Sequence, residues 1–458
     1  MKQALKKFLP PVVWDWYFSL WAFMSAVRYG FPSHRMTVIG VTGTNGKSTT
    51  VDLIHRILRE AGHTVFSTSS LRFKTNDTEQ VNNFKMTMPG RSFLQRSLKE
   101  AADNGVQYAV IEVTSEGIKQ MRHKFIAFDI AVVTNVTPEH IESHGSFDQY
   151  VQAKTKLFAA TAKNPFKKSI RKTSIININD DHYQQFVRVP TQQFYAYGIY
   201  EHTPRERFEE FFKTMKCAED VEKIECFNLH NLVMARDVVV TVDGSTFSVY
   251  NQDIALKLLS LFNVYNALAA MAVGKCLGVD LDTIERAIEK ASHPPGRMDV
   301  VMAEPFPVFV DYAHTPDSLE KVYRFVHTQY KEAAMVCVLG SAGGGRDKWK
   351  RPQMGKLAGE FCQQIILTDE DPYDEDPSEI IHAVQSGIPA GVPVSVVVDR
   401  RAAIHQALAA ARSNGSAAVV VTGKGAEPWM CVAGGKKIPW DDRQIVRDEW
   451  NILNTHAE

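Results

Sequence analysis

The sequence has no Cys-x-x-Cys pair; its six cysteines (217, 226, 276, 337, 362 and 431) are scattered. That scatter excludes a zinc ribbon and argues against a disulfide framework, as expected of a chain kept in a reducing cytoplasm. An excess of one charge sign is missing too: 52 Lys and Arg face 52 Asp and Glu. A balanced chain lacks a bias toward polyanions, so no nucleic-acid partner is expected. Nor does any apolar run reach the roughly 20 residues that a membrane-spanning helix needs. The longest candidate, 12–24, is broken by Asp15, and no small-residue cleavage site follows it as in a signal peptide. Internal repeats and low-complexity tracts are absent.

What remains is an ordinary globular composition, 45% hydrophobic and 23% charged, over 458 residues. That length predicts two or three domains. The chain is organised around Met36–Thr50. The β-branched run Thr37, Val38, Ile39 predicts a buried strand, Gly40 to Gly46 a turn-rich loop, and Ser48 onward an amphipathic helix with Leu53, Ile54, Ile57 and Leu58 as its apolar stripe. This is the architecture of a phosphate cradle. Glycines let backbone N–H groups approach phosphate, the helix N-terminus adds positive dipole, Lys47 reaches the β/γ-phosphates, and Ser48 can ligate Mg²⁺. A full P-loop would have glycine at position 41, where Val41 stands. The plain alternative is a turn before a helix; strand, loop and helix together favour a nucleotide site over Gly43, Thr44, Asn45, Gly46, Lys47, Ser48 and Thr49.

From residue 37 to about 165, strands (106–113, 130–135) alternate with helical stretches, which predicts an α/β domain with a mainly parallel sheet and functional groups at strand C-termini. Val238–Tyr250, alternating and broken by Asp243-Gly244, predicts a hairpin, and 263–277 an alanine-rich helix. His293-Pro294-Pro295-Gly296 punctuates the chain. Beyond it, five strands (308–311, 335–340, 364–368, 394–398, 417–422) predict a second, Rossmann-like domain. The expected division is a short aromatic helical segment over 1–36, a central P-loop domain over 37–295 and a C-terminal domain over 296–458. In the first segment Lys2, Lys6 and Lys7 precede an aromatic stretch. It reads as a helix docking its aromatics on the body of the protein or on a second copy, with membrane-surface contact through Trp14–Met24 as the alternative.

Two strand ends carry candidate chemistry. Glu112 closes 108–112, where a carboxylate beside a P-loop strand commonly serves Mg²⁺; a solvated glutamate is the plain alternative. Glu139, His140 and His144 follow the next strand, and histidine is not a natural Mg²⁺ ligand. Lys154 lies on an amphipathic helix where spacing alone does not single it out.

Taken with Asn179-Asp180-Asp181, 262–270, Pro295–Met298, Val310–Pro316, Gly343–Pro352, Asp399-Arg400 and Gly423-Lys424-Gly425, in order toward the C-terminus, these stretches resemble the Mur ligases, ATP-dependent amide-forming enzymes of peptidoglycan precursor synthesis. Within that family the chain looks most like the MurE branch, which adds the third amino acid to UDP-N-acetylmuramoyl-dipeptide. The resemblance implies ATP and two Mg²⁺ ions. Lys47 and Ser48 would hold phosphates and the first metal; Glu112 and His140 would hold the second, with Lys154 carbamylated to an anionic ligand. Asn263 and Asn266 would flank adenine, and Arg297, Asp311 and His314 would reach the nucleotide from the hinge and last domain. Arg346 would hold the amino acid's α-carboxylate and Glu427 its far amine, beside Asp371, Tyr373 and Gly423. A substrate carboxylate would become an acyl phosphate, and an amine would displace phosphate, with Lys47, Glu112, His140 and Lys154 as the reaction centre.

Three departures qualify the likeness. Only 36 residues precede the P-loop strand, where MurE-type enzymes carry a UDP-sugar domain. Glu370-Asp371-Pro372-Tyr373 replaces the Asp-Asn-Pro-Arg of diaminopimelate enzymes, removing an arginine clamp and favouring lysine, ornithine or arginine as substrate. Ala426 stands for a histidine and Ser260 for a glycine. The alternatives are the same chemistry on a free peptide or polymer, as in the ligase region of cyanophycin synthetases, and a nucleotide-gated subunit without catalysis.

Overall fold

Thr37–Thr42, the strand expected before the glycine loop, lies inside an 11-stranded sheet. From one edge the order is Gln252–Leu256, Gly244–Val249, Leu232–Thr241, Gln193–Ile199, Thr173–Asn177, Ile130–Val133, Thr37–Thr42, Tyr108–Glu112, Val65–Thr68, Arg72–Thr75 and Thr78–Val81. The stretch from Leu232–Thr241 to Val65–Thr68 is parallel throughout, and antiparallel hairpins extend it at both edges. This computed structural model describes residues 10–455 except 83, 85, 166, 168, 169 and 217–230. Lys2, Lys6, Lys7, Cys217 and Cys226 lie outside the described residues.

The helix Lys47–Glu60 buries its expected stripe, with Leu53, Ile54, Ile57 and Leu58 all at 1% exposure or less. It packs against Leu261–Cys276, whose residues from Ala267 to Val273 are wholly buried. A helix apolar on all sides belongs in the middle of a core, and this one packs against both Lys47–Glu60 and the sheet. Arg91–Asp103 and Phe147–Lys163 contribute to a second core that takes the alternate residues of the strands. All parallel strands are therefore covered on both faces, and their C-terminal ends open onto one rim.

The later strands form a separate six-stranded sheet in the order Asp299–Met302, Val308–Asp311, Ala417–Thr422, Ala334–Leu339, Gln364–Leu367, Val394–Val396. The five expected strands are all present and parallel. Asp299–Met302 adds an antiparallel edge, and Trp429–Val432 with Lys436–Pro439 forms a small hairpin that the sequence pattern did not predict.

One expectation is narrowed and another corrected. The first helix, Pro11–Arg28, docks on the body chiefly through Ala22, Ser25 and Ala26, at 3% exposure or less; of its aromatics, Phe23 meets Phe125 (ring centres 5.4 Å apart) and Phe18 meets the Arg91 guanidinium (4.5 Å), while Trp16 is 73% exposed. Small side chains let this helix approach Arg91–Asp103 closely, with the Ser25 hydroxyl 2.8 Å from Trp21 O and 2.7 Å from the Ser92 hydroxyl. The cysteines are not all unpaired either: Cys337 and Cys362 form a disulfide. They are 25 residues apart because the helix Lys350–Phe361 returns the chain to the strand carrying Cys337, a proximity that sequence spacing does not display.

In the helix Lys47–Glu60, His55 is buried, its Nε2 2.9 Å from Asn76 O and its Nδ1 3.0 Å from the Ser67 hydroxyl. A carbonyl only accepts, so Nε2 carries the proton and Nδ1 accepts from Ser67. Burial pushes the His55 pKa down to about 4, with the Asn76 carbonyl opposing. The unfolded chain binds this proton near pH 6.5 and the folded one only near 4, so stability is full above 6.5 and falls as pH drops through that window. His55→Gln should flatten this loss by about 2–3 kcal/mol between pH 7 and 4.5, measured as the pH dependence of urea unfolding.

Candidate active site

The glycine loop is locked where its backbone leaves ordinary space. Gly43 has φ 148°, and a Cβ there would lie 1.8 Å from the Thr134 hydroxyl; Gly46 has φ 81°, and a Cβ there would lie 2.1 Å from Asn266 Oδ1. Neither position accepts a side chain. Thr44 and Asn45 between them are pinned by the loop after Ile130–Val133: Thr44 N donates to Asn135 O (2.8 Å), Asn45 N to Asn135 Oδ1 (2.9 Å), and the Thr44 hydroxyl lies 2.9 Å from the Tyr150 hydroxyl. Gly46 caps the helix without a side chain, so the first-turn N–H groups keep their donors for a ligand.

Two lysines close on this loop. Lys47 Nζ donates to Thr44 O and Lys154 Nζ to Gly43 O, each at 2.6 Å. Lys154 is 1% exposed; burial, and then the Lys47 ammonium, push its amine well below the usual lysine range. The Ser48 hydroxyl donates to Glu112 Oε2 (2.8 Å), which also accepts from Ser70 N (2.9 Å). Thr49 is buried in the first helical turn, and Asn263 and Asn266 are buried beneath the loop, bonded to each other at 2.9 Å.

His140 begins the short helix Ile141–His144 at φ 55°, its Nε2 3.7 Å from Glu139 Oε1. Burial alone would raise the Glu139 carboxyl, but His140, His314 and Lys47 around it hold it well below the usual carboxylate range. His314, from the second sheet, reaches Glu139 with Nε2 at 3.3 Å and Tyr312 O with Nδ1 at 2.7 Å. Asp311 is buried, accepting from Met298 N (2.6 Å) and Ala313 N (2.7 Å). The Arg297 guanidinium lies 4.3 Å from the Tyr312 ring centre, and its buried Nε has no partner among the described residues.

The chain belongs to the Mur ligase family. The Mur ligase middle domain matches residues 41–274, and the Mur ligase glutamate ligase domain matches residues 296–425. A UDP-N-acetylmuramyl-tripeptide synthetase of Roseiflexus sp. is 35% identical over 443 residues, covering 93% of this chain and 80% of its own. The UDP-N-acetylmuramoyl-L-alanyl-D-glutamate–2,6-diaminopimelate ligase of Bacillus cereus is 32% identical over 427 residues, covering 92% and 79%. A solved structure of a diaminopimelate ligase of that name superposes with a TM-score of 0.58 at 26% identity, covering 92% of this chain and 79% of that one. This Mur ligase is thus a MurE-like, ATP-dependent enzyme that forms amide bonds, built on a P-loop α/β domain and a C-terminal α/β domain. Among its described residues no helix is long and apolar enough to cross a membrane.

The residues expected to hold the amino acid depart from their sequence reading. Asp371 (φ 47°) and Glu427 do not form a bare acidic patch, because Lys424, 1% exposed, lies between them at 3.0 Å and 2.5 Å. Glu427 also accepts from the Tyr312 hydroxyl (3.0 Å), and Asp371 from Cys431 N (2.6 Å). Gly423 (φ 111°) would drive a Cβ to 2.1 Å from Glu370 Oε2, and burial raises the Glu370 carboxyl to about 7. Tyr373 (φ 55°) packs its ring on Gly344, and Arg346 lies in the field of Tyr312, Tyr373 and Glu139.

The sequence reading missed the contacts that join the sheets. Asp347 accepts from Ile141 N (3.2 Å) and Glu142 N (3.0 Å), while Lys348 N donates to Glu142 Oε1 (2.8 Å). Asn45 Nδ2 donates to Asp317 Oδ2 at 2.9 Å. The available signal was positional: Asp347 directly follows Arg346 in the Gly343–Arg346 loop. Asp347→Ala should leave ATP binding unchanged and lower kcat about tenfold, since a lost helix cap of ~1 kcal/mol loosens the segment starting at His140. Paired calorimetric ATP titration and phosphate-release assays check this; a change in ATP affinity without a change in kcat contradicts it.

Proposed function

We propose that this Mur ligase activates the terminal carboxylate of UDP-N-acetylmuramoyl-dipeptide and joins it to an amino acid bearing a second amine, in the cytoplasm. One observation carries the placement of the chemistry: Lys154, a buried amine, is bonded to the carbonyl of Gly43 in the phosphate loop. Burial favours the neutral amine. A neutral amine is the form that adds CO₂, so carbamylation would turn this position into an anionic oxygen donor. The division into 1–36, 37–295 and 296–458 belongs to the same reading.

The residues fit a Mg²⁺ site. A serine hydroxyl and a carboxylate, Ser48 and Glu112, are hard oxygen donors 2.8 Å apart and almost buried. No three His, Cys, Asp or Glu side chains converge as a metal group among the described residues. A partial shell of this kind suits an ion that keeps waters and shares phosphate oxygens. Ser48 and Glu112 would hold one ion, and Glu112, His140 and Lys154 a second; bound, they would neutralise charge on the transferring phosphoryl group.

This chain's own groups do the rest. The first-turn N–H groups and Lys47 hold the β/γ-phosphates while the acceptor carboxylate oxygen attacks the γ-phosphorus and ADP leaves. Asn263 and Asn266 support the nucleotide side, with Arg297, Asp311 and His314 completing it from the second sheet. Arg346 orients the incoming α-carboxylate, and Glu427, fixed by Lys424 and Tyr312, accepts from the far amine. The α-amine nitrogen attacks the acyl carbon, the C–O bond to phosphate breaks, and the amine proton leaves to solvent. A free-peptide acceptor remains the competing reading, because the match covers about four-fifths of the relatives' length.

Phosphate release from ATP, assayed across amino acids with the UDP-linked dipeptide and with free dipeptides, separates these readings. Release requiring the UDP-sugar and lysine or ornithine is expected; release with free dipeptide alone would replace the acceptor assignment. Lys154→Ala should abolish turnover and regain part of it with a short carboxylic acid, whereas full activity without rescue contradicts the site. Tyr373→Arg should shift the kcat/KM ratio toward diaminopimelate by about tenfold or more, the order of one bidentate carboxylate contact.

A further inference from the structure

The first helix presents its apolar side to solvent. Val13, Trp16, Leu20, Phe23 and Val27 follow alternating three- and four-residue spacing and are 45, 73, 44, 44 and 52% exposed. At 1.5 Å per residue this stripe runs about 21 Å. The opposite side, through Ala22, Ser25 and Ala26, holds the helix on Arg91–Asp103. A folded domain rarely leaves a continuous apolar helix face uncovered, so the face has an occupant.

Charge identifies that occupant. Residues 1–36 contain Lys2, Lys6, Lys7, Arg28 and Arg35 against one acid, Asp15, a net +4 in a chain whose total is zero. The body adds cations beside the helix: Lys124 Nζ lies 3.4 Å from the Ser19 hydroxyl, and the Arg91 guanidinium 4.5 Å from the Phe18 ring centre. Two copies paired through this face would bring like charges together. Their seam would also span two heptads without flanking acid–base pairs, short of the three or four that a coiled coil sustains. An anionic lipid surface instead attracts the cations and takes tryptophan and tyrosine at its headgroup level.

We propose that the helix Pro11–Arg28 is an interfacial anchor: it lies in the plane of an anionic membrane, with Trp16, Leu20 and Phe23 in the acyl boundary and the ligase body held at the surface. The stripe is remote in role from the phosphate loop, so catalysis does not require it.

The test is co-sedimentation of the full chain with sucrose-loaded vesicles, either phosphatidylglycerol–phosphatidylethanolamine or phosphatidylcholine alone. Partitioning into the anionic vesicles should be at least tenfold stronger, weaken from about 0.1 to 0.5 M salt as screening shortens, and shift tryptophan emission to shorter wavelength. The double substitution Trp16→Glu and Leu20→Glu should cut partitioning at least tenfold while melting temperature and phosphate release stay unchanged. Replacing Lys2, Lys6 and Lys7 by serine should lower it roughly a hundredfold, from about 1 kcal/mol per cation near the surface. No partitioning, or equal partitioning into both vesicle types, overturns the proposal. So does a dimer seen by light scattering that the double substitution splits while vesicles bind nothing.

Discussion

Lys47 and Lys154 are bonded to the carbonyls of two consecutive residues of one glycine loop, and the rest of the site depends on this. Unit charges about 4 Å apart interact by roughly 4 kcal/mol at an effective dielectric near 20, so burial and the neighbouring Lys47 ammonium push Lys154 toward its neutral form and leave Lys47 as the charge that anions must answer. Glu139 answers in part, being buried among His140, His314 and Lys47. The loop is therefore both rigid and electrostatically incomplete. A nucleotide polyphosphate would supply what is lacking, which would make binding and stabilisation of the loop one event.

Completion also requires the second sheet. His314 meets Glu139, Asp317 meets Asn45, and Asp347 caps the segment after His140. The contacts land on two loops of the first sheet's rim, the glycine loop and the connection after Ile130–Val133, and each carries a group proposed to serve phosphate or metal. On the proposed reading, the C-terminal domain would position the reaction centre itself in addition to shielding it. That arrangement suits a reaction whose acyl phosphate would be lost to water if formed in an open cleft.

Much of this was legible in the chain, for identifiable reasons. Val41 in place of a P-loop glycine did no harm to the reading, because the positions that need glycine are Gly43 and Gly46, where φ is positive and a Cβ has no room. The five parallel strands of the second sheet were legible as apolar, largely β-branched runs, which buried parallel strands require. The first helix was legible only in part, because its aromatic spacing says only that one side is apolar. Which side faces inward is decided by Ala22, Ser25 and Ala26, whose small size permits close helix contact. Cross-sheet partners such as Asp347 and the Cys337–Cys362 pair leave no local pattern, since each depends on segments that meet only in the folded chain.

The residues proposed to hold the amino acid show why acid content and substrate charge are separate matters. Glu370, Asp371 and Glu427 look like three acids awaiting a cation, yet Lys424 already bridges two of them from within. Asp371 has one oxygen on Lys424 and the other on Cys431 N, so its use by a substrate would cost interior contacts. Glu427 differs: its side chain is 24% exposed, and each carboxylate oxygen keeps a second lone pair beyond Tyr312 and Lys424. Glu370 is buried and raised to about 7, so near neutrality it holds a proton part of the time and adds less negative field than its formal charge suggests. On the proposed reading, selectivity for an amine-bearing substrate would narrow to one carboxylate, held in place by a lysine and a tyrosine that do not themselves need to touch the ligand.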